Sequence, residues 1–221
     1  MNENISLEHI TENIGVYISK EHRFGTDAVL LADFCKVKAT DTAYDLGTGT
    51  GIIPMRWLTS PTPPKHITGI DISHAACKLA QRSADEFANG KFTVINTDLR
   101  EYKLPPSEKE VTLVSCNPPY FKQGSGEQRT GDEYVARCEA ESNLFDIAAC
   151  AARLLKYGGR FCLCHRPDRL VDVFEAMRAN KIEPKRLQIA AAGKKGRPFL
   201  VLVEGRKGGN AGLIIEQQIN L

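Results

Sequence analysis

Strand-like and helix-like stretches alternate along this chain, and that alternation predicts an α/β fold: a mostly parallel twisted sheet with helices on both faces. Two further observations support it. Several strand-like runs end in glycine, aspartate or asparagine, which gathers polar residues at the carboxyl ends of the strands, where open α/β sheets bind ligands. The last two runs, Leu187–Ala192 and Phe199–Glu204, are joined by a short basic turn, which predicts an antiparallel hairpin at one edge.

The elements follow in order. Thr42–Leu46 reads as a short strand that ends in glycines. Ile52–Leu58 opens a helix, closed by Pro61, Pro63 and Pro64, because proline lacks the amide hydrogen that a helix interior needs. His66–Ile70 is the next strand. Ser73 then caps a helix that runs to about Ala88 and stops at Asn89-Gly90. Phe92–Ile95 is a strand, and Val111–Cys116 has the character of a strand buried on both faces. A long polar loop, Asn117–Glu141, follows. Leu144–Leu155 is helical, with a stop at Gly158-Gly159; Arg160–Cys164 is a strand and Arg169–Ala179 a helix.

Composition excludes several classes. The 221 residues are 42% hydrophobic and 25% charged, which suits one soluble globular domain. No stretch approaches the roughly 20 apolar residues of a membrane span, and Met1–Lys20 lacks the apolar core of a signal peptide. A cytoplasmic protein without a membrane partner is expected. Of the seven cysteines, Cys162 and Cys164 fall on one face of a strand by their period of two, with His165 on the other. No C-x-x-C occurs, so buried free thiols are expected and no metal site. The net charge of +2 is uneven: residues 185–221 carry seven Lys and Arg against two Asp and Glu, a net of +5, which is compatible with a polyanionic partner.

The chemistry begins at Asp45-Leu46-Gly47-Thr48-Gly49-Thr50-Gly51, between a strand and a helix. Glycines there permit backbone angles and close approaches that a Cβ would block. The spacing is G-x-G-x-G, with Ile52 where a dinucleotide-binding loop would place its last glycine. Asp45 would repel phosphates but attract a cationic amino acid, and S-adenosylmethionine carries an ammonium, a sulfonium and no phosphate. Asp71 ends the next strand, 20 residues beyond Gly51, where an acid can accept from both ribose hydroxyls. Asp98 follows the strand after that and can accept from the cofactor's adenine amino group. Ile72 and Leu99, beside the two acids, are counted with Gly47, Thr48, Gly49 and Gly51 as cofactor contacts. Any one acid could be a turn or helix cap; three at successive strand ends, with the glycine loop, point to an adenosyl cofactor.

Asn117-Pro118-Pro119-Tyr120 follows the buried strand. The prolines fix the backbone, so the Asn117 amide and the Pro118 carbonyl are held rigidly. The exocyclic amine of adenine is a poor nucleophile because its lone pair is delocalised. Two acceptors on its two hydrogens favour a pyramidal nitrogen over the planar ground state, which is differential binding. Asn117, Pro118 and Tyr120 are therefore the candidate catalytic residues, with Tyr120 stacking on an extruded base and Asn117 also facing the cofactor.

With these motifs in order, the chain resembles the tRNA1(Val) adenine-N6-methyltransferase family, class I S-adenosylmethionine-dependent enzymes of the N-P-P-Y type. The segment Arg23-Phe24-Gly25-Thr26-Asp27-Ala28-Val29-Leu30-Leu31-Ala32 is similar to the family's stretch before the glycine loop, as are Pro198–Val203 and Glu204–Gly209 to its ending. The resemblance runs from about Ile5 to about Gly212. It implies a Rossmann-like class I methyltransferase fold. It implies one domain, residues 41–221, on whose cofactor site an N-terminal segment, residues 1–40, packs, and a place for Phe24, Gly25, Thr26 and Asp27 near the cofactor's methionine part. It also implies an adenine of a tRNA anticodon loop as substrate. In the loop after N-P-P-Y the family usually has Ala-Arg-His-Glu, whereas this chain has Ala136-Arg137-Cys138-Glu139. Arg129, Arg137, Lys194, Lys195 and Arg197 are the candidate phosphate contacts. Only 44 residues precede Asp45, too few for the helical domain of protein glutamine methyltransferases or the duplicated domain of ribosomal guanine-N2 methyltransferases.

Overall fold

The computed structural model describes residues 5–105, 111–118, 144–193 and 196–221. Ser6–Thr11 (β1) and Ile14–Ile18 (β2) pair as an antiparallel hairpin outside the main sheet. Thr26–Phe34 (α1) leads to Thr42–Leu46 (β3), Ile52–Leu58 (α2), His66–Asp71 (β4), His74–Phe87 (α3), Phe92–Asn96 (β5) and Val111–Cys116 (β6). Beyond residue 143 come Leu144–Leu154 (α4), Leu155–His165 (β7), Leu170–Ala179 (α5), Ile182–Ala191 (β8) and Pro198–Lys207 (β9). Two short strands, Ile214–Ile215 (β10) and Ile219–Asn220 (β11), close the chain.

The main sheet has the order β10-β8-β9-β7-β6-β3-β4-β5, with β11 also against β8. β3, β4, β5, β6 and β7 run parallel, and β9 is antiparallel to both β7 and β8. The chain leaves β3 outward to β4 and β5, then crosses back to start β6 on the other flank of β3. That reversal opens a crevice at the carboxyl ends of β3 and β6, the usual ligand position in such sheets. Alternate residues of each strand feed opposite faces: Ala43, Leu113, Cys162 and Cys164 join α1, α2 and α3 in one core, while Tyr44, Leu46, Val114, Phe161 and Leu163 join α4 and α5 in the other. Asp45 and Ser115 share the first face, which lets them meet near the crevice.

The structure differs from the sequence reading at several elements. The helix from Leu144 ends at Leu154, and Gly158 and Gly159, expected as its stop, lie inside β7, whose register against β6 shifts between Val111 and Leu113; Gly158, at φ +76°, absorbs the irregularity. The strand β8 begins at Ile182, five residues before the expected Leu187. The hairpin β1–β2, the helix α1 and the edge strands β10 and β11 have no counterpart in the reading.

Several basic side chains, three of them in the C-terminal region, are engaged internally. Arg160, nearly buried, donates from Nη2 to Asp41 Oδ2 at 2.8 Å and from Nη1 to the Cys35 carbonyl at 2.6 Å. Arg186 donates to Glu204 Oε2 at 2.6 Å and to Glu216 Oε1 at 2.9 Å, tying β8, β9 and the C-terminal tail together. The Lys207 ammonium donates to the carbonyls of Ala152 and Leu155 at the end of α4, and Lys185 to that of Asn210. Arg197 and Arg206 remain exposed.

Candidate active site

The loop after β3 takes its shape from three left-handed glycines: Gly47, Gly49 and Gly51 have φ of +67°, +54° and +83°. Residues with a Cβ rarely adopt these angles. The amides of Gly47 and Thr48 both donate to the Ile70 carbonyl, at 2.8 and 3.0 Å, which pins the loop to the end of β4. A Cβ on Gly47 or Gly49 would point into open space, so the loop presents bare backbone to the crevice; one on Gly51 would press on Phe92 and Ala80. Thr48 Oγ1, Thr50 Oγ1 and Asp45 Oδ2 are buried without a well-formed hydrogen bond among the described residues. Buried polar atoms are ordinarily satisfied, so this cluster fits a polar ligand beside the loop.

Asp45 lies beneath that loop at 1% exposure. Burial disfavours its anion and pushes its pKa up to about 7; the Ser115 hydroxyl, donating to Oδ1 at 2.6 Å, pulls the other way, and Thr48 adds to that pull from beyond good hydrogen-bond geometry. Asp71 ends β4. Its Oδ2 accepts from the Gly49 amide at 2.6 Å and its Oδ1 from the Ser73 amide at 2.9 Å. Burial raises its pKa against these backbone hydrogen bonds. A carboxylate has about four acceptor positions, so two lone pairs remain for a diol. Ile72 beside it is exposed. The Asn96 amide donates to the carbonyls of Asp71 and Ile72, both at 2.9 Å, and so fixes this strand end.

Asp98 lies in the turn after β5. Arg100 grips both of its oxygens, with Nη2 to Oδ2 at 2.5 Å, and this pairing holds the carboxyl below its usual range. An adenine amine reaching Asp98 would share it with Arg100. Leu99 is half-buried, and its carbonyl accepts from Arg153 at 2.9 Å. In the N-terminal segment, Phe24 packs against the core that holds α1 and α2, Gly25 is the N-cap of α1, Thr26 is exposed, and Asp27 Oδ1 accepts from the Ala28 amide at 2.9 Å. His22 Nε2 lies 3.3 Å from the Ser73 hydroxyl, which joins this segment to the turn after Asp71.

Strand register brings the second motif to the first. Leu46 is paired with Cys116 and with Ile70, so Gly47, Asp71 and Asn117 leave neighbouring strands side by side. Asn117 is half-buried and Pro118 buried. Asn117 Oδ1 accepts from the Cys164 thiol at 3.0 Å, because Cys116 is paired with Leu163 on β7. Arg197, just before β9, lies at the same end of the sheet, since Val201 near the start of β9 is paired with His165 at the end of β7. Pro119, Tyr120, Arg129, Arg137, Cys138, Lys194 and Lys195 lie outside the described residues.

Cys35, Cys77, Cys116, Cys150, Cys162 and Cys164 are buried. His165 is buried beside them in sequence, and burial lowers its pKa to about 4. Among the described residues no three His, Cys, Asp or Glu gather as a metal site, and no helix is long and apolar enough to cross a membrane. The sequence reading missed Ser115, Asn96, His22 and Cys164. Only the tertiary fold reveals them, since each acts on a residue 25 or more positions away in sequence.

Comparison with known proteins adds independent findings. A family model described as a methyltransferase small domain matches residues 8–168. The chain is 30% identical over 142 residues to a tRNA1(Val) (adenine(37)-N6)-methyltransferase of Flavobacteriaceae bacterium (strain 3519-10), covering 64% of this chain and 58% of that protein. It is 27% identical over 151 residues to a protein of the same name from Haemophilus influenzae (strain PittEE), covering 68% of this chain and 62% of the relative. The match therefore spans about three-fifths of these relatives' length. Among solved structures, a predicted O-methyltransferase from Agrobacterium tumefaciens superposes with a TM-score of 0.68 at 19% identity, over 88% of this chain and 86% of that one. A TehB-like SAM-dependent methyltransferase from Corynebacterium glutamicum gives 0.53 at 17% identity, over 82% and 87%.

Proposed function

This chain belongs to the methyltransferase small domain family and has the Rossmann-like class I methyltransferase fold, and from that premise we propose that it methylates the N6 amine of an adenine in a tRNA with S-adenosylmethionine as donor. The observation that carries the reading is the juxtaposition of Gly47, Asp71 and Asn117 at the carboxyl ends of three neighbouring strands, where the sheet order reverses.

The residues present fit the cofactor. The bare backbone of Gly47, Thr48, Gly49 and Gly51, with the unsatisfied polar atoms beneath it, suits the methionine part, and the negative charge available at Asp45 suits its ammonium. Phe24, Gly25, Thr26 and Asp27 would close that end. Asp71 would take the ribose hydroxyls beside Ile72, and Asp98 and Leu99 would border the adenine. When bound, the cofactor supplies an electrophilic methyl carbon on a sulfonium sulfur.

The chain's own residues do the rest. Asn117 Oδ1 and the Pro118 carbonyl accept the two hydrogens of the target amine and favour the pyramidal nitrogen that develops on attack. Their rigid backbone would hold that nitrogen in place, which lowers the entropic cost of its encounter with the methyl donor. Tyr120 stacks on the base. No strong base is required, since the methylated ammonium is acidic and loses its proton to water.

The motif alone does not choose among amines, because adenine, guanine and glutamine all present a planar one. The choice of a tRNA adenine, in the anticodon loop of a valine tRNA, is supported by the names of the two relatives and by the segments Arg23–Ala32 and Pro198–Gly209. An unpaired loop base also costs least to extrude. In this reading Arg129, Arg137, Lys194, Lys195 and Arg197 hold phosphates, and the enzyme works in the cytoplasm. Cys138 stands where the family has a histidine, so that contact is made differently or not at all. Reaction with total tRNA and labelled cofactor, followed by mass spectrometry of the nucleosides, tests the proposal. N6-methyladenosine is the expected product; a methyl group on guanine, or on protein alone, would overturn the substrate assignment.

A further inference from the structure

We propose that Cys164 is a positioning residue for Asn117, its thiol donating to the amide oxygen and fixing which end of that amide faces the acceptor base. The proposal rests on the reading of Asn117 as an acceptor for the target amine.

The geometry is set by the sheet. Cys164 follows Leu163, the residue paired with Cys116, so the parallel strands β6 and β7 bring Cys164 beside Asn117. The Sγ to Oδ1 distance is 3.0 Å. Cys164 is 0% exposed and belongs to the core beneath α1 and α2, whereas Asn117 reaches partly into the crevice.

The chemistry follows from the amide. Its two ends are nearly equal in size, and the terminal torsion of asparagine is broad and roughly two-fold. One orientation presents Oδ1 to the substrate; the other presents an NH2 group to an amine that is itself a donor. The Cys164 thiol hydrogen stabilises the orientation that keeps Oδ1 beside β7. The carbonyl oxygen has two lone pairs, so one serves the thiol and the other accepts from the target amine. Full burial keeps water from replacing the thiol as donor.

A structural role for Cys164 would act through packing alone, and three variants separate the two. Cys164→Ala removes the donor and leaves a small cavity. Cys164→Ser restores a hydroxyl donor at the same place. Cys162→Ala makes a similar cavity on the same strand and face, but the Cys162 thiol lies against Glu204 rather than Asn117. The measurement is the single-turnover rate of methyl incorporation from S-adenosylmethionine into total tRNA, scored on whichever base receives it, with active protein counted by cofactor binding.

Cys164→Ala should slow the chemical step roughly three- to tenfold, the loss of one hydrogen bond, with cofactor affinity and KM for tRNA unchanged. Cys164→Ser should recover most of that loss, and Cys162→Ala should react at the wild-type rate. Wild-type turnover in Cys164→Ala, or a Cys164→Ser variant as slow as Cys164→Ala, would overturn the proposal. So would an equal slowing in Cys162→Ala. A methyl group found on guanine refutes the adenine assignment but leaves the Cys164 comparison intact, since guanine offers the same kind of amine. Asn117→Ala reacting at the wild-type rate overturns the acceptor reading and this proposal with it.

Discussion

The Asp45 carboxyl titrates near neutrality only because the fold buries it, and that has consequences for stability and for binding. In the unfolded chain it ionises near its ordinary value of 3.8, and in the folded chain at about 7. Between those values the folded state holds a proton that the unfolded state has released, so stability falls as pH rises through this window and is level above it. Asp45→Asn, neutral at every pH, should therefore melt higher than the wild type. The gain should be slight at about pH 4 and reach several degrees by about pH 8. Thermal melts across that range check it. Cofactor binding should run the other way: a cationic ligand favours the ionised carboxyl, so affinity should increase as pH rises through about 7 and then level off. Asp71 differs, because two backbone amides already satisfy part of its carboxylate. Asp71→Ala should weaken S-adenosylmethionine binding roughly tenfold or more, through loss of charged hydrogen bonds to the ribose, read by calorimetry.

Elements were legible in the sequence wherever a periodic apolar run carried its own punctuation. β3, β4, β5 and β6 lie where the runs and turn residues place them, and Ser73 caps α3 by accepting from the Ala76 amide. What the sequence hid has a physical reason in each case. In β1 the outward residues are polar and only Leu7 and Ile10 are half-buried, so alternation is weak. The short strands β10 and β11 have only two residues each, and their outlines come from β8 rather than from their own composition. Gly158-Gly159 carries the usual mark of a stop, yet a strand with a register shift can absorb it. Long-range ion pairs are equally invisible to a local reading. Arg160 bridges β7 to Asp41 before β3, with side-chain exposures of 9% and 5%. Arg160→Ala should cost about 3–5 kcal/mol in denaturant unfolding, because it strands a buried carboxylate. Arg56 and Asp33 form a similar pair at the surface, 34% and 54% exposed. Arg56→Ala should shift stability by less than about 1 kcal/mol.

Across the whole molecule, the end of the sheet that gathers Gly47, Asp71 and Asn117 is also the end at which β9 begins, with Arg197 just before it. Total charge misleads about such a surface. Of the seven basic residues that tilt the C-terminal region positive, Lys185, Arg186 and Lys207 are engaged within the fold, and Arg197 is one of those left exposed. Arg197→Ala should lower the log–log salt slope of tRNA affinity by roughly one, as expected for one lost phosphate contact. Fluorescence titration at several salt concentrations reads that slope. The placement of the glycine loop, Asp71 and Asn117 at strand ends was legible because the signals are local to each strand; their contacts with Ser115, Asn96 and Cys164 cross between strands and become visible only through register. The central claim is that Asn117 acts on the target amine rather than on the cofactor. The direct measurement is the single-turnover rate of Asn117→Ala with tRNA, alongside its affinity for S-adenosylmethionine by calorimetry. A fall in rate of roughly a hundredfold with cofactor affinity nearly intact is the predicted result. A near-normal rate, or a cofactor affinity that collapses in step with the rate, would contradict it.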